Sequence, residues 1–404
     1  MTLSQPERIA CPVCGAARAP DIFYDLRAVP VTGTSIFDTA AAARAVPTGD
    51  VELTTCAHCG LVFSATFDQA LGHLSARYES SQAASTHFSA FAHSLADDWV
   101  QRYRLAGKTV LEIGCGGGHF LGVLRQHGVG TAIGMDPFAD VSAPSRDPGV
   151  QLIADSFDAR SLQLQADALV CRHTLEHIQD VSGFLRLLRE WTGGDRARVL
   201  LFEVPDAQRV FAERAFWDVY YEHCNYFTAT TLRYAFESAG FDVLRVNRVY
   251  DDQYLIIEAV ARKAGVSAPM PAAAAEARAA CQAFGHQVRA SIEHCRRELQ
   301  RLSGSAPPLV LWQGAAKTVG FLAALGGANG IDSAIDLSPA RHGKFLPGSA
   351  LAVHAPKRLL ELRPGNVVLM NPVYLAEVTA QVRSLGLDTH VHSVNDLLAP
   401  QPDR

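Results

Sequence analysis

The segment Trp217-Asp218-Val219-Tyr220-Tyr221-Glu222-His223-Cys224-Asn225-Tyr226-Phe227 holds the densest cluster of polar and aromatic side chains in the chain. A histidine beside a glutamate, with phenols close by, can take up and return protons. His223, Glu222 and Tyr220 are therefore a candidate acid–base set. A buried aromatic segment carrying one solvated Glu–His pair would have the same composition, so composition leaves both readings open.

Four cysteines point to other chemistry. Cys11-Pro12-Val13-Cys14-Gly15 and Cys56-Ala57-His58-Cys59-Gly60 are two C-x-x-C-G knuckles. Each tight turn aims two thiolates at one tetrahedral ion, and the glycine permits the turn. Cys11, Cys14, Cys56 and Cys59 are expected to hold zinc in a closed, structural site, with His58 a bystander. Cys115, Cys171, Cys224, Cys281 and Cys295 read as packing residues.

A third stretch runs from Thr109 to Phe120. An apolar strand leads to Glu112. A glycine turn, Gly114, Gly116 and Gly118 among it, follows, and then a helix opens at Phe120. Strand, glycine turn and helix let backbone approach a nucleotide-like ligand closely. The pattern is E-x-G-x-G-x-G. It is not G-x-G-x-x-G, because His119 stands where the third glycine would be. Its form resembles the first motif of class I S-adenosylmethionine methyltransferases.

These residues need an α/β scaffold to bring them together. The first strand is Thr109–Ile113. The second, Gly130 to Met135, ends in Asp136, 22 residues after Gly114. That spacing suits an acid that accepts ribose hydroxyls. Val150 to Ser156 reads as a third strand, with Asp155, beside Ser156, expected to meet the adenine. Ala166 to Cys171 is a fourth, followed by Arg172-His173-Thr174-Leu175-Glu176-His177-Ile178. Arg198 to Glu203 is a fifth. Strands alternating with helices imply a doubly wound, mostly parallel sheet whose strand ends carry the ligand site. Phe88, Phe91, Leu95 and Trp99 recur at helical spacing and mark a helix leading into this core.

After Ala261 the composition shifts. Ser267 to Pro271 and the alanine run behind it read as a linker and then a helix to about Leu302. Pro308 to Lys317, Ile331 to Asp336 and Asn366 to Met370 give further strands of a second, smaller α/β unit. Lys317 follows a glycine turn as a phosphate-binding lysine does, yet Gly314-Ala315-Ala316-Lys317 is no P-loop. The expected division is a zinc-binding domain over 1–75, a Rossmann-like methyltransferase core over 76–262, and a helical linker with the C-terminal α/β domain over 263–404.

At 404 residues the chain is too long for one ordinary core. Its formal net charge of -5 argues against nucleic-acid or membrane-surface partners. No apolar run is long enough to span a bilayer, and Met1 to Ala10 carries no apolar signal segment. A cytoplasmic protein with reduced cysteines is expected, which also favours metal over disulfides.

Taken together, the order of zinc ribbon, methyltransferase core, Tyr-x-Glu-His segment and second α/β unit resembles the nucleotide-sugar C-methyltransferase family. The markers are the two cysteine knuckles, Glu112-Ile113-Gly114-Cys115-Gly116, Leu175-Glu176-His177-Ile178 and Tyr220-Tyr221-Glu222-His223. Gly314-Ala315-Ala316-Lys317 and Gly343-Lys344-Phe345-Leu346-Pro347-Gly348 also match. The resemblance implies S-adenosylmethionine as methyl donor and methylation of a ring carbon beside the carbonyl of a nucleotide-linked deoxy-keto sugar. It assigns the general base to His223, with Glu222 orienting and polarising it and Tyr220 hydrogen-bonding the enolate oxygen. His177 would face the substrate, and Tyr78 would close the site from the N-terminal side. His173 joins Glu112, Gly114, Gly116, Gly118, Asp136, Asp155 and Ser156 on the cofactor side. Val249-Tyr250-Asp251-Asp252-Gln253-Tyr254 replaces the glycine-rich strand of those sugar enzymes, and His173 stands where they often carry asparagine. Another small-molecule acceptor, methylated at oxygen or nitrogen, and a non-catalytic zinc-bearing scaffold therefore stay open. The oligomeric state is not encoded in any of these motifs.

Overall fold

The computed structural model describes residues 8–72, 82–142, 147–263, 274–304, 308–328 and 330–398. At its centre lies a seven-stranded sheet. The strand order is Phe241–Val249, Tyr254–Ala261, Val199–Pro205, Ala168–Arg172, Thr109–Ile113, Thr131–Met135, Val150–Ile153. Five neighbouring strands run parallel, and Tyr254–Ala261 pairs antiparallel on both its sides. All five residues of Ala168–Arg172 are buried, as expected for a central parallel strand covered on both faces. Val110, Ala168 and Val170 pack with Trp99 and Phe120 on one face. Leu111, Leu169 and Cys171 pack with Leu185, Trp191 and Phe236 on the other. The chain reverses direction of build between Thr109–Ile113 and Ala168–Arg172, which opens a crevice at the carboxyl ends of those strands.

The five parallel strands fall where the apolar runs predict them. Phe241–Val249 and Tyr254–Ala261 are strands beyond those the sequence predicts. Their hairpin turns through Tyr250, Asp251 and Asp252, all at positive φ (54°, 50° and 60°), so no glycine marks the turn.

The C-terminal unit is a five-stranded parallel sheet. Its order is Val353–His354, Ile331–Ile335, Leu309–Trp312, Asn366–Leu369, His390–Ser393. The helix Ala274–Ser303 leads into it and buries a stripe of Cys281, Phe284, Val288, Ile292, Cys295, Leu299 and Leu302. That three-and-four spacing gives one apolar face. The stripe meets the N-terminal strand Ile22–Pro30, with Phe284 edge-on to Tyr24 at 5.3 Å.

Ile22–Pro30, Thr48–Thr55 and Val62–Ser64 form the N-terminal antiparallel sheet. Its fourth strand is Asn225–Tyr226, from the polar-aromatic segment. The segment is thereby pinned between the N-terminal sheet and the central core. Among the described residues no helix is long and apolar enough to cross a membrane.

Candidate active site

The crevice at the strand ends widens into a cavity of about 640 Å³. Segments far apart in the chain line it. Thr34 comes from the N-terminal region, Gly114 and Gly116 from the glycine turn, Tyr220 and His223 from the polar-aromatic segment, and Lys317 from the C-terminal unit.

Backbone contacts fix the polar-aromatic segment. Cys224 donates its N–H to the Glu176 carbonyl at 3.0 Å, and Asn225 Nδ2 donates to the Ile178 carbonyl at 2.8 Å. The Leu175–His177 turn after the fourth core strand is thus locked to it. His177 Nδ1 lies 2.8 Å from the Glu222 carbonyl, and the His177 and His223 rings stand 4.8 Å apart. Tyr220 Oη lies 2.9 Å from His223 Nε2. His223 is buried, and burial together with the nearby His177 and His173 holds its pKa well below the usual histidine range. It is neutral near pH 7 and can accept a proton. Burial, with Asp218 and Glu222 nearby, pushes the Tyr220 phenol well up, so it stays an O–H donor.

Glu222 corrects one expectation. Its carboxylate does not orient His223. It accepts from the Gly33 N–H at 2.7 Å, from Thr32 Oγ1 at 3.1 Å and from Thr34 Oγ1 at 3.2 Å. Neighbouring side chains in an irregular segment leave on different sides, and these donors sit on the N-terminal side. The acid nearest the His223 imidazole is Glu176, with Oε1 4.0 Å from Nε2.

On the cofactor side, Gly114, Gly116 and Gly118 all have positive φ (72°, 52° and 76°). A Cβ on Gly114 would collide with the Thr174 hydroxyl. Asp136 clasps the turn: Oδ2 accepts the Gly116 N–H at 2.9 Å and Oδ1 the Phe138 N–H at 2.8 Å. Glu112 lines the cavity and one of its oxygens has no hydrogen-bond partner. Burial pushes its carboxyl up to about 8 against the opposing pull of Arg172. His173 lines the cavity at φ 49°, with Nε2 2.5 Å from Glu203 Oε1. Glu203 also takes Arg172 in a forked pair at 3.1 and 3.2 Å. Asp155 and Ser156 stand away from the cavity wall. Asp155 pairs with Arg160 at 3.0 Å and accepts the Ser156 N–H. Tyr78 lies outside the described residues. Lys317 is paired with Asp218, which also holds Arg209 at 2.5 Å.

The four knuckle cysteines converge. Cys11 Sγ and Cys59 Sγ are 3.5 Å apart, and Cys14 Sγ and Cys56 Sγ 3.6 Å. Thiolates around one tetrahedral zinc with bonds near 2.3 Å stand about 3.8 Å apart, so the cluster fits that ion. The Gly15 and Gly60 N–H groups close the turns on the Cys11 and Cys56 carbonyls.

Residues 88–246 match the family model for a methyltransferase domain, and residues 270–389 that for a C-methyltransferase C-terminal domain. The chain carries a methyltransferase domain and a C-methyltransferase C-terminal domain. Among curated proteins it is similar to the ubiquinone biosynthesis O-methyltransferases of Pseudomonas fluorescens strain SBW25, 34% identical over 99 residues, and of Pseudomonas entomophila strain L48, 34% over 98. Each match takes in 22% of this chain and 42% of the relative, so the chain spans less than half the length of the relatives it matches. Among solved structures it is similar to magnesium protoporphyrin IX methyltransferase of Synechocystis PCC 6803 with bound S-adenosylhomocysteine. That match is 19% identical, covers 44% of this chain and 84% of the other, and has a TM-score of 0.32.

The structure brings to this region polar residues that the sequence reading leaves unmarked. Glu176 sits in the Leu-Glu-His run, where only the histidine was read as functional. Arg172 ends one parallel strand and Glu203 closes the apolar run of its neighbour, and a polar residue closing an apolar run is the signal that marks such positions. The Thr32–Thr34 loop carries no signal of its own.

Proposed function

We propose that the protein is an S-adenosylmethionine-dependent C-methyltransferase acting at a carbon beside a carbonyl, with a nucleotide-linked deoxy-keto sugar as acceptor. The observation that carries this reading is the buried, neutral His223 with the Tyr220 hydroxyl 2.9 Å from its Nε2, on the wall shared with the glycine turn. A C–H beside a ketone is a weak acid, so this reaction needs both a base and a donor for the enolate oxygen. An acceptor entering between the two side chains frees Nε2 for the carbon-bound proton and turns the phenol to the enolate oxygen. His177, anchored through Nδ1, faces the acceptor. S-adenosylmethionine supplies the electrophilic methyl group when bound. Glu112, Gly114, Gly116, Gly118 and Asp136, with His173, would hold it, and the chain's part in the transfer is largely positioning. The four cysteines would hold one zinc as a structural centre.

The O-methyltransferase relatives favour a second reading, methyl transfer to oxygen, which needs no carbon acid. Incubation of carbonyl acceptors in heavy water separates the two. Carbon methylation predicts deuterium exchange at the α-carbon that depends on His223. Methyl transfer without any such exchange, and insensitive to His223→Ala, would sink the C-methyltransferase reading.

A further inference from the structure

Glu176, His177 and His223 offer three ligating atoms that all lie within 4.8 Å of one another. All three side chains line the cavity. Two imidazoles and a carboxylate are the protein ligands of open zinc sites, which leave the fourth position to water or substrate. Glu176 is 1% exposed, and neither of its carboxylate oxygens has a hydrogen-bond partner. A buried carboxylate is normally paired or bound to a cation. The two imidazoles nearest to it, His173 Nδ1 at 3.7 Å and His223 Nε2 at 4.0 Å, lie within ion-pair distance but give it no hydrogen bond.

His177 is prepared for the same task, while His223 Nε2 would exchange the Tyr220 hydroxyl at 2.9 Å for the ion. His177 Nδ1 rests on the Glu222 carbonyl at 2.8 Å. A carbonyl only accepts, so Nδ1 carries the proton and Nε2 keeps its lone pair. Metal-binding histidines are anchored in this way through the ring nitrogen that does not bind. Ligand atoms around a tetrahedral ion with bonds near 2.0 Å stand about 3.3 Å apart, so the three groups need to close by at most about 1.5 Å to grip one.

We infer that Glu176, His177 and His223 bind a divalent transition-metal ion inside the cavity, apart from the four-cysteine cluster. The ion takes the lone pair that His223 would use as a base, so occupancy stops methyl transfer; this consequence rests on the function proposed above, while the site does not. The mixed nitrogen and oxygen donors select cobalt, nickel, copper or zinc over magnesium.

The test is equilibrium dialysis of the zinc-loaded, full-length protein against Co2+, with cobalt and zinc counted separately. The expected result is about one cobalt per chain in addition to the zinc of the cysteine cluster, with weak visible absorption and no thiolate charge-transfer band. Glu176→Gln and His177→Gln should each weaken cobalt binding at least about tenfold, with the zinc content kept. Methyl transfer should fall in step with cobalt occupancy and return on chelation. No cobalt bound beyond exchange for zinc, up to millimolar ion, overturns the site; so does unchanged affinity in both variants. Cobalt bound with undiminished transfer keeps the site and removes His223 from the role of base.

Discussion

The Glu222 carboxylate accepts the Gly33 N–H at 2.7 Å, so the acid adjacent to His223 in sequence faces the N-terminal loop and not the imidazole. Thr34, on that loop, lines the cavity. Glu222 thus ties the N-terminal region to the acceptor side of the site. Glu222→Gln should loosen the Thr32–Thr34 loop and raise KM for the acceptor several-fold, with the pH profile of kcat unshifted. A shifted kcat profile in steady-state kinetics would instead mean that Glu222 acts on His223.

His223→Ala removes the proposed base without touching the glycine turn. The expected outcome is a loss of more than about a hundredfold in kcat/KM. Calorimetry should show S-adenosylmethionine binding intact. Tyr220→Phe keeps the ring and removes the donor for the enolate oxygen, so it should lower both kcat and the rate of solvent exchange at the α-carbon.

The cysteine cluster packs against the methyltransferase core, where Cys11, Cys56 and Cys59 share an apolar cluster with Phe227 and Leu232. Metal analysis should give about one zinc per chain. Replacing Cys56 and Cys59 with serine should abolish it and lower Tm, because loss of the ion frees the knuckles from that core. Unchanged Tm on zinc removal would separate the ribbon from the stability of the fold.

Asp218 lies buried between Arg209 and Lys317. Asp218→Asn leaves two cations short of their shared anion, and breaking a buried pair in this way costs about 3–5 kcal/mol. Lys317→Met retains the Arg209–Asp218 pair and should cost less. Urea denaturation of the two variants measures the difference.

The Arg172–Glu203–His173 network has a defined pH window. Burial works against the charged forms, but Glu203 and Glu176 raise His173 from 6.5 to about 9, and Arg172 and His173 lower Glu203 from 4.5 to about 2. The His173 contribution is complete below about pH 6.5 and is lost as pH rises through 9. The Glu203 contribution is present above about pH 4.5 and is lost as pH falls through 2. Wild-type Tm should therefore decline between pH 6.5 and 9 more steeply than that of His173→Gln, as differential scanning calorimetry would show.

Much of the scaffold was legible because its signals are local. Thr109–Ile113 is an apolar run closed by a glycine turn, and the strand spans the expected residues. Phe88, Phe91, Leu95 and Trp99 lie on one helix, Thr86–Tyr103. The hairpin through Tyr250–Asp252 was less legible, because its turn holds three consecutive left-handed residues with no glycine among them. Asp155 follows its apolar strand as the sequence places it, and the structure adds a partner five residues on, Arg160 at 3.0 Å.

Sequence by itself determined the chemical inventory: two thiolate pairs, a glycine turn with an acid 22 residues on, and histidines beside acids. These depend on residue type and short spacing, which the covalent chain fixes. Only the tertiary structure decided which groups meet. Glu176 and His223 are far apart in sequence and adjacent in space because the Cys224 N–H bonds the Glu176 carbonyl. Glu222, one residue from His223, is drawn the other way by Gly33, Thr32 and Thr34. A side chain's partner follows from where buried donors and acceptors can be satisfied, and that is a property of the packed chain as a whole.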